Sequence, residues 1–342
     1  MKRTPADHAE RALLGVLLAQ PQQTDELRRW LRDGDFYSPW HAATYRALQQ
    51  LTTNGASPRP QDVAAQLARD RHVRLPRPQD HNMLIVDLLD AAGRTDLAPS
   101  YGRMVLEASI HRAIHRHATA LGQIGEMTVD PDRRAELIDE RVTAATEDLT
   151  GLGGRWSGAA GAVVVSVALA GGAGGPPPLA LTSCRDASAE DRLLGALIRR
   201  PGQLDRIRGW LQPEDFRSPA RRDLYRALCH MADRGTPIEP VTVMWAAHTA
   251  GLLHPGGLTA EHALGLAGAA PPGDPVLHAQ DVLADAIRAH TVRAAAGLRA
   301  LARRVDLTPA DLLAQSDRRL HDVADNAARL RRSIRPLQVV AR

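Results

Sequence analysis

The chain has 342 residues, of which 44% are hydrophobic and 24% charged, with a formal net charge of +4; this length suits two or three packed domains, and the composition excludes a disordered, charge-dominated chain. Aromatic residues make up only 3%, so the core has to be built from Leu, Ala, Val and Ile, which favours helix-on-helix packing over a β-sandwich. Cys184 and Cys229 are the only cysteines, too few and too far apart for a disulfide framework or a zinc knuckle, and they fit a reducing, cytoplasmic setting.

In chain order, the amino terminus leads straight into an amphipathic helix, with no apolar signal-peptide core. Leu13, Leu14, Leu17 and Leu18 form one stripe of a 3.6-residue period that stops before Pro21. Leu27, Trp30 and Leu31 predict a second, short helix. Ser38 and Pro39 form an N-cap and first-turn pair, predicting a third helix through Tyr45 and Leu48 to a stop at Gly55. A fourth is expected over Gln61 to Arg69, and another near 84–92. Two longer helices follow, about 98–125 and 132–149, separated by Asp130-Pro131 and therefore forming an antiparallel hairpin. Leu106, Ile110, Ile114 and Leu121 share one stripe of that hairpin, an apolar seam that needs a partner.

Residues 151–187 are rich in Gly, Ala and Pro and read as a flexible linker, within which Val163-Val164-Val165 is the one segment able to form a short strand. The apolar stretch from Ala159 to Ala170 is shorter than the roughly 20 residues a membrane-spanning helix needs. After the linker the pattern repeats. Ala9-Glu10, Leu13-Leu14-Gly15, Trp30-Leu31, Asp35-Phe36, Ser38-Pro39 and Tyr45-Arg46-Ala47-Leu48 recur 180 residues later, as Ala189-Glu190, Leu193-Leu194-Gly195, Trp210-Leu211, Asp215-Phe216, Ser218-Pro219 and Tyr225-Arg226-Ala227-Leu228. Beyond Val63 and Val243 the match fades, then returns at an offset of 177 with Val105-Leu106 against Val282-Leu283, Ile110 against Ile287 and Arg116 against Arg293. The second copy is expected to start helices at Ala189, Leu204, Ser218 and Val241, with one more near 259–268. It ends in a hairpin of about 275–304 and 308–332, parted at Thr308-Pro309, with Val282 and Ile287 on its seam. The expected fold is all-α: two tandem small helical-bundle domains, 1–150 and 188–335, each a compact head plus a long hairpin, with a tail over 336–342.

The string from Ala9-Glu10 through Leu17, with Asp35-Phe36-Tyr37-Ser38-Pro39, His41 and Tyr45-Arg46-Ala47-Leu48, resembles the amino-terminal domain of DnaB-type replicative helicases. The second copy adds Pro237-Ile238-Glu239-Pro240-Val241-Thr242-Val243, similar to that family's loop and fourth helix. The resemblance implies a domain that pairs through its hairpins into a collar and offers that collar to primase and loader proteins. A replicative helicase, a primase or a helicase loader is therefore the expected partner, and the two copies are expected to pair within one chain, favoured by the effective concentration that the linker sets. Arg217 and Arg221 stand where the first copy has Tyr37 and His41, so the two heads need not meet the same partner. The helicases continue into a RecA-like motor. Here no G-x-x-x-x-G-K-[ST] exists and Lys2 is the sole lysine, so a non-catalytic interaction protein of DNA replication is expected.

No catalytic, cofactor-binding or metal-binding set emerges. His111 and His115 have the i, i+4 spacing of metal ligands, but no Glu lies between them and His117 projects elsewhere, so solvated or capping roles are expected. Asp33, Asp35 and Asp215 precede helix starts and read as caps. Trp30, Phe36, Tyr45 and their counterparts Trp210, Phe216 and Tyr225 read as core. The densest basic cluster, Arg329, Arg331, Arg332 and Arg335, is the candidate phosphate contact, and it supports an alternative reading as a DNA-binding accessory factor.

Overall fold

A proline in the first turn, preceded by a capping oxygen, sets where several helices begin. Thr4 Oγ1 accepts from the Asp7 amide at 3.2 Å ahead of Pro5, and Asp130 Oδ1 accepts from the Arg133 amide at 2.8 Å ahead of Pro131. Thr308 Oγ1 accepts from the Asp311 amide at 3.2 Å ahead of Pro309. The computed structural model describes residues 4–53, 57–70, 79–159, 184–253, 258–269 and 273–340. The first head contains α1 (Pro5–Ala19), α2 (Thr24–Leu27), α3 (Pro39–Thr53), α4 (Pro60–Arg69) and α5 (Gln79–Asp90), and its hairpin is α6 (Ala98–Glu126) and α7 (Pro131–Gly158). The second copy repeats the order with α8 (Cys184–Arg199), α9 (Leu204–Ile207), α10 (Pro219–Asp233), α11 (Pro240–Thr249), α12 (Ala260–Ala269), α13 (Pro275–Leu301) and α14 (Pro309–Val340). The fold is all-α: no strand occurs among the described residues, only one isolated bridge between Leu253 and Leu258.

The head cores follow the repeat. Leu13, Leu14, Leu17 and Leu18 are buried, as are Leu193, Leu194, Leu197 and Ile198. Phe36 lies 5.0 Å from Tyr45 and Phe216 lies 4.9 Å from Tyr225, centroid to centroid, and both tyrosine hydroxyls point at a matching carbonyl, Leu31 O and Leu211 O. Trp30 and Trp210 are buried as well, so the recurring aromatics are core. Gly15 permits the tightest approach in the first head, since a Cβ there would stand 2.2 Å from the Leu88 carbonyl oxygen of α5.

Several elements differ from the sequence expectation: α14 runs to Val340, past the expected end near 332 and through most of the expected tail over 336–342, and α8 starts at Cys184, inside the expected linker. The short helix expected over Leu27, Trp30 and Leu31 is α2, which ends at Leu27; Trp30 and Leu31 follow in a turn closed by the Leu31 amide on the Leu27 carbonyl at 2.8 Å. More importantly, α7 does not stop near 149 but continues through Gly151, Gly153 and Gly154 to Gly158. Tertiary contacts outweigh the glycine propensity there. Leu152 is buried, the Arg103 guanidinium stacks 4.1 Å from the Trp156 ring centroid, and Arg103 Nη1 donates to the Ala159 carbonyl at 2.6 Å. The first residues of the expected linker are thus helical, while Val163-Val164-Val165 lies outside the described residues. No helix among the described residues is long and apolar enough to cross a membrane.

Packing gathers the described residues into two compact units, and each unit mixes the two copies. One draws on Met1–His117, Ala144–Gly174 and Leu298–Asp317: the first head, the adjoining parts of α6 and α7, and the turn of the second hairpin. The other draws on Ala118–Thr143, Gly175–Gly297 and Arg318–Arg342: the turn of the first hairpin, the second head, and the remainder of α13 and α14.

Candidate interaction site

In each copy one arginine ties the second hairpin helix to the head. The Asp35 carboxylate accepts from the Arg32 amide at 2.8 Å, closing the tight turn before α3. Arg155 of α7 pairs with that carboxylate and reaches the Trp30 carbonyl at 3.4 Å. In the second copy Asp215 accepts from the Gln212 amide at 2.7 Å, and Arg329 of α14 pairs with it and donates to the Trp210 carbonyl at 3.1 and 3.2 Å. The expected capping role of these aspartates holds, but the arginine partners were not singled out in the sequence. Arg155 and Arg329 are 174 residues apart, off both offsets of the repeat. In an arginine-rich chain neither stands out.

A buried glutamate organises the loop that enters α3 and α10. Glu10 Oε1 accepts from the Tyr37 amide at 2.6 Å, and Oε2 meets His41 Nδ1 at 2.7 Å. Glu190 Oε1 accepts from the Arg217 amide at 2.6 Å, but its histidine is replaced by Arg221, which turns instead to Asp191 at 2.7 and 2.8 Å. Burial pushes the Glu190 carboxyl above its usual range, and the Arg217 amide and Arg221 only partly offset that. These two departures from the repeat, Arg217 and Arg221, fall at one loop and change its chemistry.

The expected seam residues, Leu106, Ile110, Ile114, Leu121, Val282 and Ile287, are all buried within the chain. They do not present an apolar stripe to solvent, and each compact unit places one copy's hairpin turn with the other copy's hairpin. In the first unit His111 Nδ1 meets the Ala302 carbonyl at 2.9 Å, and a Cβ on Gly153 would touch Leu313 at 3.4 Å. In the second unit a Cβ on Gly125 would stand 2.7 Å from Val292 Cγ2, and Arg331 forms a two-bond pair with Asp139 at 3.0 and 3.1 Å. Burying each such aliphatic side chain is worth roughly 1.5–3 kcal/mol over leaving it exposed, so the covered seam is the stable arrangement.

These contacts correct the phosphate-contact expectation. Arg329 is buried and fully engaged with Asp215, Asn326 and the Trp210 carbonyl, and Arg331 is held by Asp139. Arg332 is exposed, and the Arg335 side chain lies outside the described residues. The cluster is dense in sequence but dispersed around α14, because successive residues of a helix point about 100° apart. His111 serves the interface, while His117 bonds Asp148 at 2.9 Å beside Arg116. Among the described residues no group of three or more His, Cys, Asp or Glu side chains is arranged to hold a metal. The exposed apolar side chains include Val241 and Trp245 on α11, where the first copy carries Gln61 and Ala65.

The family model described as DnaB-like helicase N terminal domain matches residues 4–107 and 183–269, more than half of the chain. No curated protein and no solved structure matches it. The two matched segments begin at α1 and α8 and cover both heads, each carrying the aspartate and the tryptophan of the tie and the glutamate under the loop, while Arg155 and Arg329 lie outside them. The chain belongs to the family of the DnaB-like helicase N-terminal domain, and it carries that domain in two tandem copies.

Proposed function

We propose that the protein is a non-catalytic interaction module of DNA replication, in which two helicase-collar domains pair hairpin to hairpin within one molecule and engage a replicative helicase, a primase or a helicase loader. The observation that carries this is the burial of all six seam residues in a single chain, with contacts between the copies in both compact units. The pairing surface that a lone collar domain would offer to another copy is used internally, so partners meet the outer faces of the heads. The family match supports the replication setting. The lack of any lysine beyond Lys2 supports a role without nucleotide hydrolysis by a P-loop. With Arg329 and Arg331 committed to the fold, little supports DNA binding through the carboxy-terminal arginines.

Light scattering of the full chain tests the pairing: a monomeric mass is expected at micromolar concentration. Residues 1–159 and 184–342 expressed as separate chains are expected to co-purify one to one, because the covered seam no longer depends on the linker. Titration of the purified chain against the host's helicase, primase and loader, each alone, tests the partner. Absence of binding to all three overturns the replication role without touching the pairing.

A further inference from the structure

The two heads present different surfaces between corresponding helices. In the first copy, side chains bridge the groove between α3 and α4: Gln66 Nε2 donates to Gln50 Oε1 at 3.0 Å, and Arg46 Nη1 meets Asp70 Oδ2 at 3.5 Å. The hollow left there measures about 260 Å³. At the 180 offset Gln66, Arg69 and Asp70 become Ala246, Thr249 and Ala250, so neither bridge can form. Between α10 and α11 the second copy has instead a groove of about 930 Å³.

The same surface turns apolar. Gln61 and Ala65 of α4 become Val241 and Trp245 of α11, which are 58% and 61% exposed, and Met231 and Leu252 also line the groove. Large aromatic side chains in such hollows are the usual anchors of protein interfaces. The charges at the edge indicate what would lie there. Of the two arginines in the lining, Arg226 is held by Glu214 at 2.7 Å and by Asp223 at 3.0 Å, and Asp223 is the one carboxylate of that lining. The other, Arg234 at the end of α10, is exposed, and its side chain forms no hydrogen bond or ion pair among the described residues. An acidic group on an occupant would gain at that edge, and a basic one would meet like charge. The described residues contain no strand to which an extended segment could add, so the recognition mode open to this surface is a helix laid in the groove.

We propose that the α10–α11 groove of the second copy docks an amphipathic helix of a partner protein, its apolar face on Trp245 and Val241 and its acidic flank at Arg234. The first copy has no such site, because Gln66 and Asp70 bridge the groove and Gln61 and Ala65 offer no anchor. The inference rests on the partner reading above and adds to it the face used and the chemistry of the segment recognised.

Fluorescence anisotropy with the full chain tests it. The probe is a labelled amphipathic peptide of about 18 residues, five helical turns, with a Leu face flanked by Glu, set beside the same peptide flanked by Lys. Saturable binding of the Glu peptide at one site per chain is expected, about 10-fold tighter than the Lys peptide. Val241→Gln with Trp245→Ala restores the first copy's residues at two exposed positions and is expected to weaken the Glu peptide by about 10–100-fold with the thermal midpoint unchanged. Arg234→Glu is expected to reverse the preference between the peptides, and it carries the test should the double variant fail to fold. No saturable binding, equal or tighter binding of the Lys peptide, or unchanged affinity in these variants would each overturn the groove. So would a concentration-dependent dimer of the chain that the double variant abolishes, since a second copy would then be the occupant. The peptides contain no replication protein, so their binding without any binding of helicase, primase or loader upholds the groove and overturns the replication role. Equal binding of one of those three to the chain and to the double variant does the reverse.

Discussion

Arg155 and Arg329 show how a residue type that is uninformative by count becomes decisive by position. Each guanidinium satisfies a tryptophan carbonyl and a nearly buried aspartate at once, and removing it leaves a buried charge unpaired. Arg329→Ala is therefore expected to lower stability by about 3 kcal/mol, read from the urea midpoint, with Arg155→Ala similar but smaller because its side chain is more exposed. An unchanged midpoint in Arg329→Ala would return that residue to the pool of surface arginines. His290 sets a pH dependence. Burial holds its imidazole below the ordinary 6.5, with Arg293 acting the same way, so the folded chain keeps it neutral while the unfolded chain takes the proton first. Stability is expected to fall as pH drops from about 6.5, and the fall is expected to be shallower in His290→Gln. Equal slopes in the two proteins would refute the assignment. The aspartate caps and the aromatic core were legible in the sequence at this scale, because their reasons are local or recur in register. The arginine partners were not, because their reason lies more than 100 residues away along the chain.

Helices obey local signals until a tertiary contact is stronger, and α1 and α7 show both outcomes. Gly15 of α1 sits against the α5 backbone, so Gly15→Ala is expected to cost about 1–3 kcal/mol through overpacking, despite alanine's better helix propensity. Gly154 of α7 faces open space, and Gly154→Ala is expected to gain about 0.5–1 kcal/mol, the propensity difference alone. Thermal unfolding of the pair checks the two signs; a gain at Gly15 would mean that α1 and α5 do not approach as closely as described. The glycines of 151–154 read as the start of a linker because propensity favours ending a helix there. Leu152, Arg155 and Trp156 supply buried contacts that carry α7 past them, and no local pattern announces those contacts. Pro131, Pro219 and Pro309, by contrast, mark helix starts in sequence and structure alike, since a missing amide and a fixed φ act on the chain itself.

At the scale of the molecule, the hairpins belong to both copies at once. Gly125 makes the close approach to Val292 in the second unit, so Gly125→Leu is expected to strip hydrogen-exchange protection from the α6 turn and from α13 together, leaving α1 and α3 protected. Loss confined to α6 would argue against the mixed packing. The sequence by itself determined the all-helical class, the duplication, the family and the absence of a P-loop lysine, because periodicity, capping and register are properties of neighbouring residues. Only the tertiary structure decided that the seam residues are buried and that the carboxy-terminal arginines are split between a buried tie to the head and an ion pair with α7. Those outcomes depend on which surfaces meet, and a one-dimensional pattern states what a helix face needs without stating what will cover it.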